Sequence, residues 1–180
     1  MLFFSKLRKS YSSATLIARA NILFNDGKYQ EAANLFEQAL QTDPTRTEAW
    51  TNLGSAYERL NRLEEAEKAH LQGTRGGRGE HFAWVNLGTV YRRMGKLDEE
   101  MRCYEKSLSI KNDFAGAWMK IGVAHLEAGK FSDAIPALQR ATEIEPHFWV
   151  HWSLLSDAYK GIGDSISANE TQARAKLLQP

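Results

Sequence analysis

The chain of 180 residues has a single cysteine, four prolines and no apolar run near the ~20 residues that cross a bilayer. With Cys103 alone, neither an intrachain disulfide nor a thiolate metal cage can form, and nothing demands an oxidising compartment. Charge of one sign is also missing. Lys plus Arg number 23 against 22 Asp plus Glu, which excludes a globally basic nucleic-acid binder. A composition 43% apolar and 25% charged excludes long disorder, so a soluble chain located in the cytoplasm is the first expectation. Catalytic signatures are absent as well. Gly95-Lys96 and Gly129-Lys130 are followed by Leu97 and Phe131 rather than by the continuation of a phosphate loop, and no H-E-x-x-H or G-x-S-x-G occurs. No enzyme and no cofactor are expected.

What the chain does have is tryptophan at a fixed beat. Trp50, Trp84, Trp118 and Trp152 lie 34 residues apart. Each is followed at three and four residues by an apolar and a small residue: Leu53-Gly54, Leu87-Gly88, Ile121-Gly122 and Leu155-Ser156. A ring comes three further on, at Tyr57, Tyr91, His125 and Tyr159. One period before Trp50 stands Leu16, with Ala20 and Leu23 in register, so five repeats are delimited at about 13–46, 47–80, 81–114, 115–148 and 149–180.

Within a repeat the spacing i, i+3, i+4, i+7 is the apolar stripe of one helix. A turn follows, with Gly27, Asn61, Gly95 or Gly129 where a left-handed helix end is needed. Second helices are then expected at about 29–42, 63–73, 97–110, 131–144 and 165–178. Pro44 and Pro146 close repeats. Pro136 is expected in the first turn of its helix behind Ser132 as N-cap, where it removes no helical hydrogen bond. Ala20, Gly54, Gly88, Gly122, Ser156 and Ala32, Ala66, Ala134, Ala168 are small where paired helices must approach. Glu100 stands out in that series, and its carboxylate is expected to snorkel to solvent or pair with an Arg.

The runs Trp50-x2-Leu53-Gly54-x2-Tyr57 with Ala66, and Trp84-Val-Asn-Leu87-Gly88-Thr-Val-Tyr91, resemble the tetratricopeptide repeat family over residues 13–180. His70 and Gln172 depart from it where a bulky apolar residue is usual, and Arg78 and Asn112 where Pro is usual. The resemblance implies an all-α, right-handed α-solenoid with first helices lining a concave groove and second helices on the convex back. It implies a non-catalytic adaptor or assembly factor that binds another protein's peptide or helix in that groove. Candidate groove residues are Asn52, Arg59, Phe82, Asn86, Arg92, Arg93 and Lys120, with Asn21, Phe24, Asn25 and Ser55 in the earliest repeats and Glu127 further on. Arg59, Arg92, Arg93 and Lys120 have few acids opposite in sequence and suit an acidic segment.

Two known modes of the family are incomplete here. Asn21 and Asn52 fit the two Asn places of domains that clamp a chaperone's C-terminal carboxylate, but Ile17, Phe82 and Asn86 replace its basic groups. Asn52 and Asn86 match two rungs of the Asn ladder that holds peptide backbone in O-GlcNAc transferases, and Lys120 and Leu154 break it.

Stacked repeats need their ends covered, which makes Leu177 and Leu178 candidates for end-to-end contact, with another chain or a copy of this one. A structural subunit packed through its convex face and last repeat is therefore the alternative reading. Thr74-Arg-Gly-Gly-Arg-Gly79 is expected to cut a second helix short and form a mobile connection. Its Arg-Gly-Gly also resembles RNA-contacting tails. Residues 1–25 contain Lys6, Arg8, Lys9 and Arg19 and no acid, so residues 1–12 either cap the first repeat through Leu2, Phe3, Phe4 and Leu7 or act as a mitochondrial presequence or membrane-surface segment.

Overall fold

A computed structural model describes residues 11–77 and 79–180. The alternative roles of residues 1–10, cap, targeting or membrane contact, fall outside the described residues, as does Arg78. The described residues form ten α-helices and no strand. They are α1 (Ser13–Asn25), α2 (Tyr29–Thr42), α3 (Thr47–Arg59), α4 (Leu63–Gly73), α5 (Glu80–Arg93), α6 (Leu97–Ile110), α7 (Ala115–Glu127), α8 (Phe131–Ile144), α9 (Trp149–Gly161) and α10 (Ser165–Leu178). None is long and apolar enough to cross a membrane. The chain divides into two compact units, residues 1–78 with α1–α4 and residues 79–180 with α5–α10.

The 34-residue beat produces this series because each repeat buries the same stripe. The helices of each hairpin pack together, and within each unit a second helix packs on the next first helix. First helices also touch: α1 with α3 in the first unit, and α5 with α7 and α7 with α9 in the second. Within each unit, second helices of neighbouring repeats do not touch among the described residues. Each unit therefore curves with its first helices inside.

Close approach within a hairpin rests on missing side chains. A Cβ at Gly54 would meet the His70 ring at 2.6 Å, one at Gly88 the Tyr104 ring at 2.5 Å, and one at Gly122 Leu138 at 2.5 Å. His70 is accommodated at a position expected to be apolar because Gly54 leaves room for its ring. It is fully buried, and its Nε2–H donates to Glu58 Oε1 at 2.8 Å. In the last hairpin Ser156 replaces Gly, and its Oγ donates to the Ala168 carbonyl at 2.8 Å. At the turns, Asn61 adopts φ 60°, the one positive φ outside glycine among the described residues.

The tryptophans tie repeats together. Indole Nε1 donates to the carbonyl six residues upstream: Trp50 to Pro44 at 2.9 Å, Trp118 to Asn112 at 2.8 Å and Trp152 to Pro146 at 2.9 Å. Trp84 instead donates to Glu80 Oε1 of its own helix at 3.2 Å. Here the repeat grammar changes, next to the glycine segment 76–79.

Three expectations are corrected. Glu100 does not snorkel: it is 1% exposed, and its Oε1 has no hydrogen-bond partner. α6 packs on both α5 and α7, and the side chain at this position is buried beside them. Ser132 is not an N-cap, because α8 already begins at Phe131. Pro136 is thus the sixth helical residue and leaves the Ser132 carbonyl without its helical donor, a loss eased by solvent since both residues are exposed. Cys103 is 3% exposed, and burial pushes its thiol up to about 12.

Candidate binding faces

In the first unit, α1 and α3 lie side by side and turn the residues next to their packing stripes to the inside of the curve. Asn52 Nδ2 donates to Asn21 Oδ1 at 3.0 Å. Together with Phe24, Asn25 and Ser55 they line a cavity of about 390 Å³. This cradle carries no formal charge. Its amides offer donors and acceptors at once, which is the pairing a peptide main chain requires. Arg59, at the end of α3, is exposed and places its guanidinium 5.2 Å from the Tyr29 ring centroid.

In the second unit, α5 contributes Phe82, Asn86, Arg92 and Arg93, and α7 contributes Lys120 and Glu127. Phe82 is 50% exposed at the start of α5, its ring edge-on to Phe114 at 4.9 Å and tilted against His81 at 4.2 Å. Burial, with Lys111 nearby, holds the His81 imidazole below its usual value. Asn86 is half-buried and Arg93 exposed. Arg92 is ion-paired with Glu127 across the two helices, so this cation is answered from within the protein. The half-buried Lys120 acts with Arg92 on the carboxyl of Glu100. Burial raises that carboxyl above the usual range, and the two cations only partly offset the rise. Tyr104 Oη lies near enough to favour the ionised form, yet neither it nor Glu100 Oε1 completes a hydrogen bond of normal geometry. Glu100 lines a cavity of about 350 Å³ with Asp98, His125, Glu127 and Lys130.

Of the residues singled out in the sequence, the structure joins Asn52 to Asn21 in one unit, and gathers Arg92 and Lys120 around Glu100 in the other. Arg59 belongs to the first unit; Phe82, Asn86, Arg93 and the rest belong to the second. Leu177 is 79% exposed on α10 and Leu178 is half-buried. His147 and His151, four residues apart, do not share a surface: His147 is exposed, while His151 is buried with its ring 4.8 Å from Phe148. Among the described residues, no three His, Cys, Asp or Glu side chains gather as metal ligands would.

One feature was not anticipated. Where α2 and α4 splay apart on the outer side of the first unit, a cleft of about 710 Å³ opens over Trp50, Leu53 and Tyr57 of α3, rimmed by Glu37, Lys68 and Gln72. Tyr57 Oη donates to Glu37, and burial pushes the phenol up to about 12. Sequence spacing marks these residues as core stripe, and only the divergence of the second helices exposes their edges.

Two family profiles match the chain: a tetratricopeptide repeat over residues 23–75, and the cilia and flagella-associated protein 70 middle TPR-like domain over residues 50–179. No curated protein matches by sequence. Among solved structures, MamA from Desulfovibrio magneticus RS-1 is 16% identical with a TM-score of 0.76, over 92% of this chain and 94% of that one. YrrB, described as a TPR protein with an unusual peptide-binding site, is 19% identical with a TM-score of 0.68, over 94% and 87%. A chain of the APC/C hetero-tetramer Cut9-Hcn1 is 18% identical with a TM-score of 0.80, over 96% of this chain and 34% of that one. At these identities the likeness is one of fold.

Proposed function

Because the chain belongs to the tetratricopeptide-repeat family, we propose that it works through protein–protein contact, holding an extended segment of a partner on the inner, first-helix faces of its units. The observation that carries this reading is the Asn21–Asn52 pair over its uncharged cavity. Such a pair binds main-chain amides whatever side chains they bear, and the half-buried Phe24 beside it adds apolar contact. YrrB, a relative in fold, is described as peptide-binding, which supports the same use of this face. In the second unit, exposed Phe82 supplies an aromatic anchor, and the Arg92–Glu127 pair supplies both signs of charge. A mixed rather than purely acidic partner segment suits that arrangement.

The outer cleft over Trp50 and Tyr57 favours a second reading, a subunit gripped through its convex side. Quantitative co-purification separates the two. Each amide hydrogen bond contributes about 1 kcal/mol net, so Asn21→Ala with Asn52→Ala is expected to weaken capture of the partner about tenfold or more. Lys68→Glu, on the outer rim, is expected to leave capture unchanged. The reverse result would assign the partner to the outer cleft.

A further inference from the structure

We infer that Arg75 is a methyl-acceptor site, presented by the folded protein to an arginine methyltransferase that uses a sulfonium methyl donor. The helix that would otherwise hold this residue stops early. α4 ends at Gly73 after 11 residues, whereas α2, α6, α8 and α10 each run for 14. Thr74 and Arg75 lie where the last turn of those helices would continue. Gly76 and Gly77 follow with φ of +101° and +107°, values that side-chain-bearing residues rarely adopt. Gly77 is needed for a second reason, since a Cβ there would lie 2.8 Å from Thr47 Oγ1. That contact fixes the path of the segment against the start of α3, while Gly76 faces open space with nothing within 4 Å of its missing Cβ.

Arg75 itself is exposed, and among the described residues its guanidinium makes no ion pair, hydrogen bond or ring contact. Among the described residues, the other arginines outside helix interiors are held: Arg46 pairs with Asp43 and Arg62 with Glu65. Arg102 also has no partner among the described residues, but it sits within α6, where the backbone cannot be laid into another enzyme's cleft. Arg75 alone among these combines a solvent-facing guanidinium, a non-helical backbone and two following residues without side chains.

The chemistry needs no group from this protein beyond the guanidine. A lone pair on one Nη attacks the donor's methyl carbon. The C–S bond breaks with its electrons passing to sulfur, which leaves as a thioether, and an N–CH3 bond forms. The proton displaced from nitrogen passes to a base of the transferase. The guanidinium keeps its charge and loses a hydrogen-bond donor.

The test incubates the folded 180-residue chain with a glycine-arginine-directed methyltransferase and deuterated S-adenosylmethionine, followed by intact mass measurement and peptide mapping. The expected result is one or two labelled methyl groups on Arg75 in most molecules, and no label at that position in Arg75→Lys, whose circular dichroism should match wild type. Absence of label on the folded chain, label confined to other arginines, or label on Arg75 only after denaturation would each overturn the inference.

Discussion

Gly88→Val is expected to destabilise the protein by about 3 kcal/mol, a fall of about 6–12 °C in melting temperature for a chain of this size. Two effects oppose each other. Replacing a helical glycine gains at most about 1 kcal/mol of helix propensity. Against it, even the first added carbon would stand 2.5 Å from Tyr104 Cε1 and 2.9 Å from Cδ1. Tyr104 is fully buried, so its ring cannot swing aside into solvent, and the α5–α6 hairpin must open instead. Overpacking of a tight core costs about 1–3 kcal/mol, and the branched valine adds to the clash. Gly122→Val should cost less, because the Leu138 side chain it meets at 2.5 Å has rotamers that Tyr104 lacks. Thermal unfolding followed by circular dichroism measures both; a Gly88→Val midpoint equal to wild type would mean that the hairpin is not closed by this contact.

The second large effect concerns pH. Burial raises the Glu100 carboxyl above its ordinary 4.5, so the folded state holds this proton more tightly than the unfolded chain does. Stability then falls as pH rises from the ordinary value through the raised one, and stays lower above it. Glu100→Gln keeps the shape and removes the ionisation. At about pH 4, below the ordinary value, the two proteins should melt together, and by about pH 8 the variant should be the more stable by about 1–3 kcal/mol, the scale of a buried group lacking its partner. Melting curves across that range decide the matter. A variant that is less stable at the alkaline end would show that Arg92 and Lys120 outweigh burial and hold the carboxylate as a needed partner.

These two positions also show what could be read from the sequence. The glycines recur every 34 residues beside a helical stripe, so their role in close packing was legible, as were the bounds of the second helices and the left-handed turn at Asn61. Glu100 occupies the same kind of position, yet its fate depends on how firmly neighbouring stripe residues hold the helix, which spacing does not encode. The Arg92–Glu127 pair was hidden for a related reason: the residues lie on different first helices, and their meeting follows from side-chain reach across the curve. The sequence places Asn21 and Asn52 one step off the stripe on neighbouring first helices, whereas their mutual hydrogen bond was not legible there. The outer cleft is not legible in the sequence because its floor is built from the very residues that the repeat marks as core.

The claim that the inner faces hold the partner is tested most directly by photo-crosslinking. A photoreactive side chain at position 52 or 86, on inner faces, should capture a segment of the co-purifying partner, while one at position 68, beside the outer cleft, should not. Capture from position 68 with none from positions 52 and 86 would contradict it.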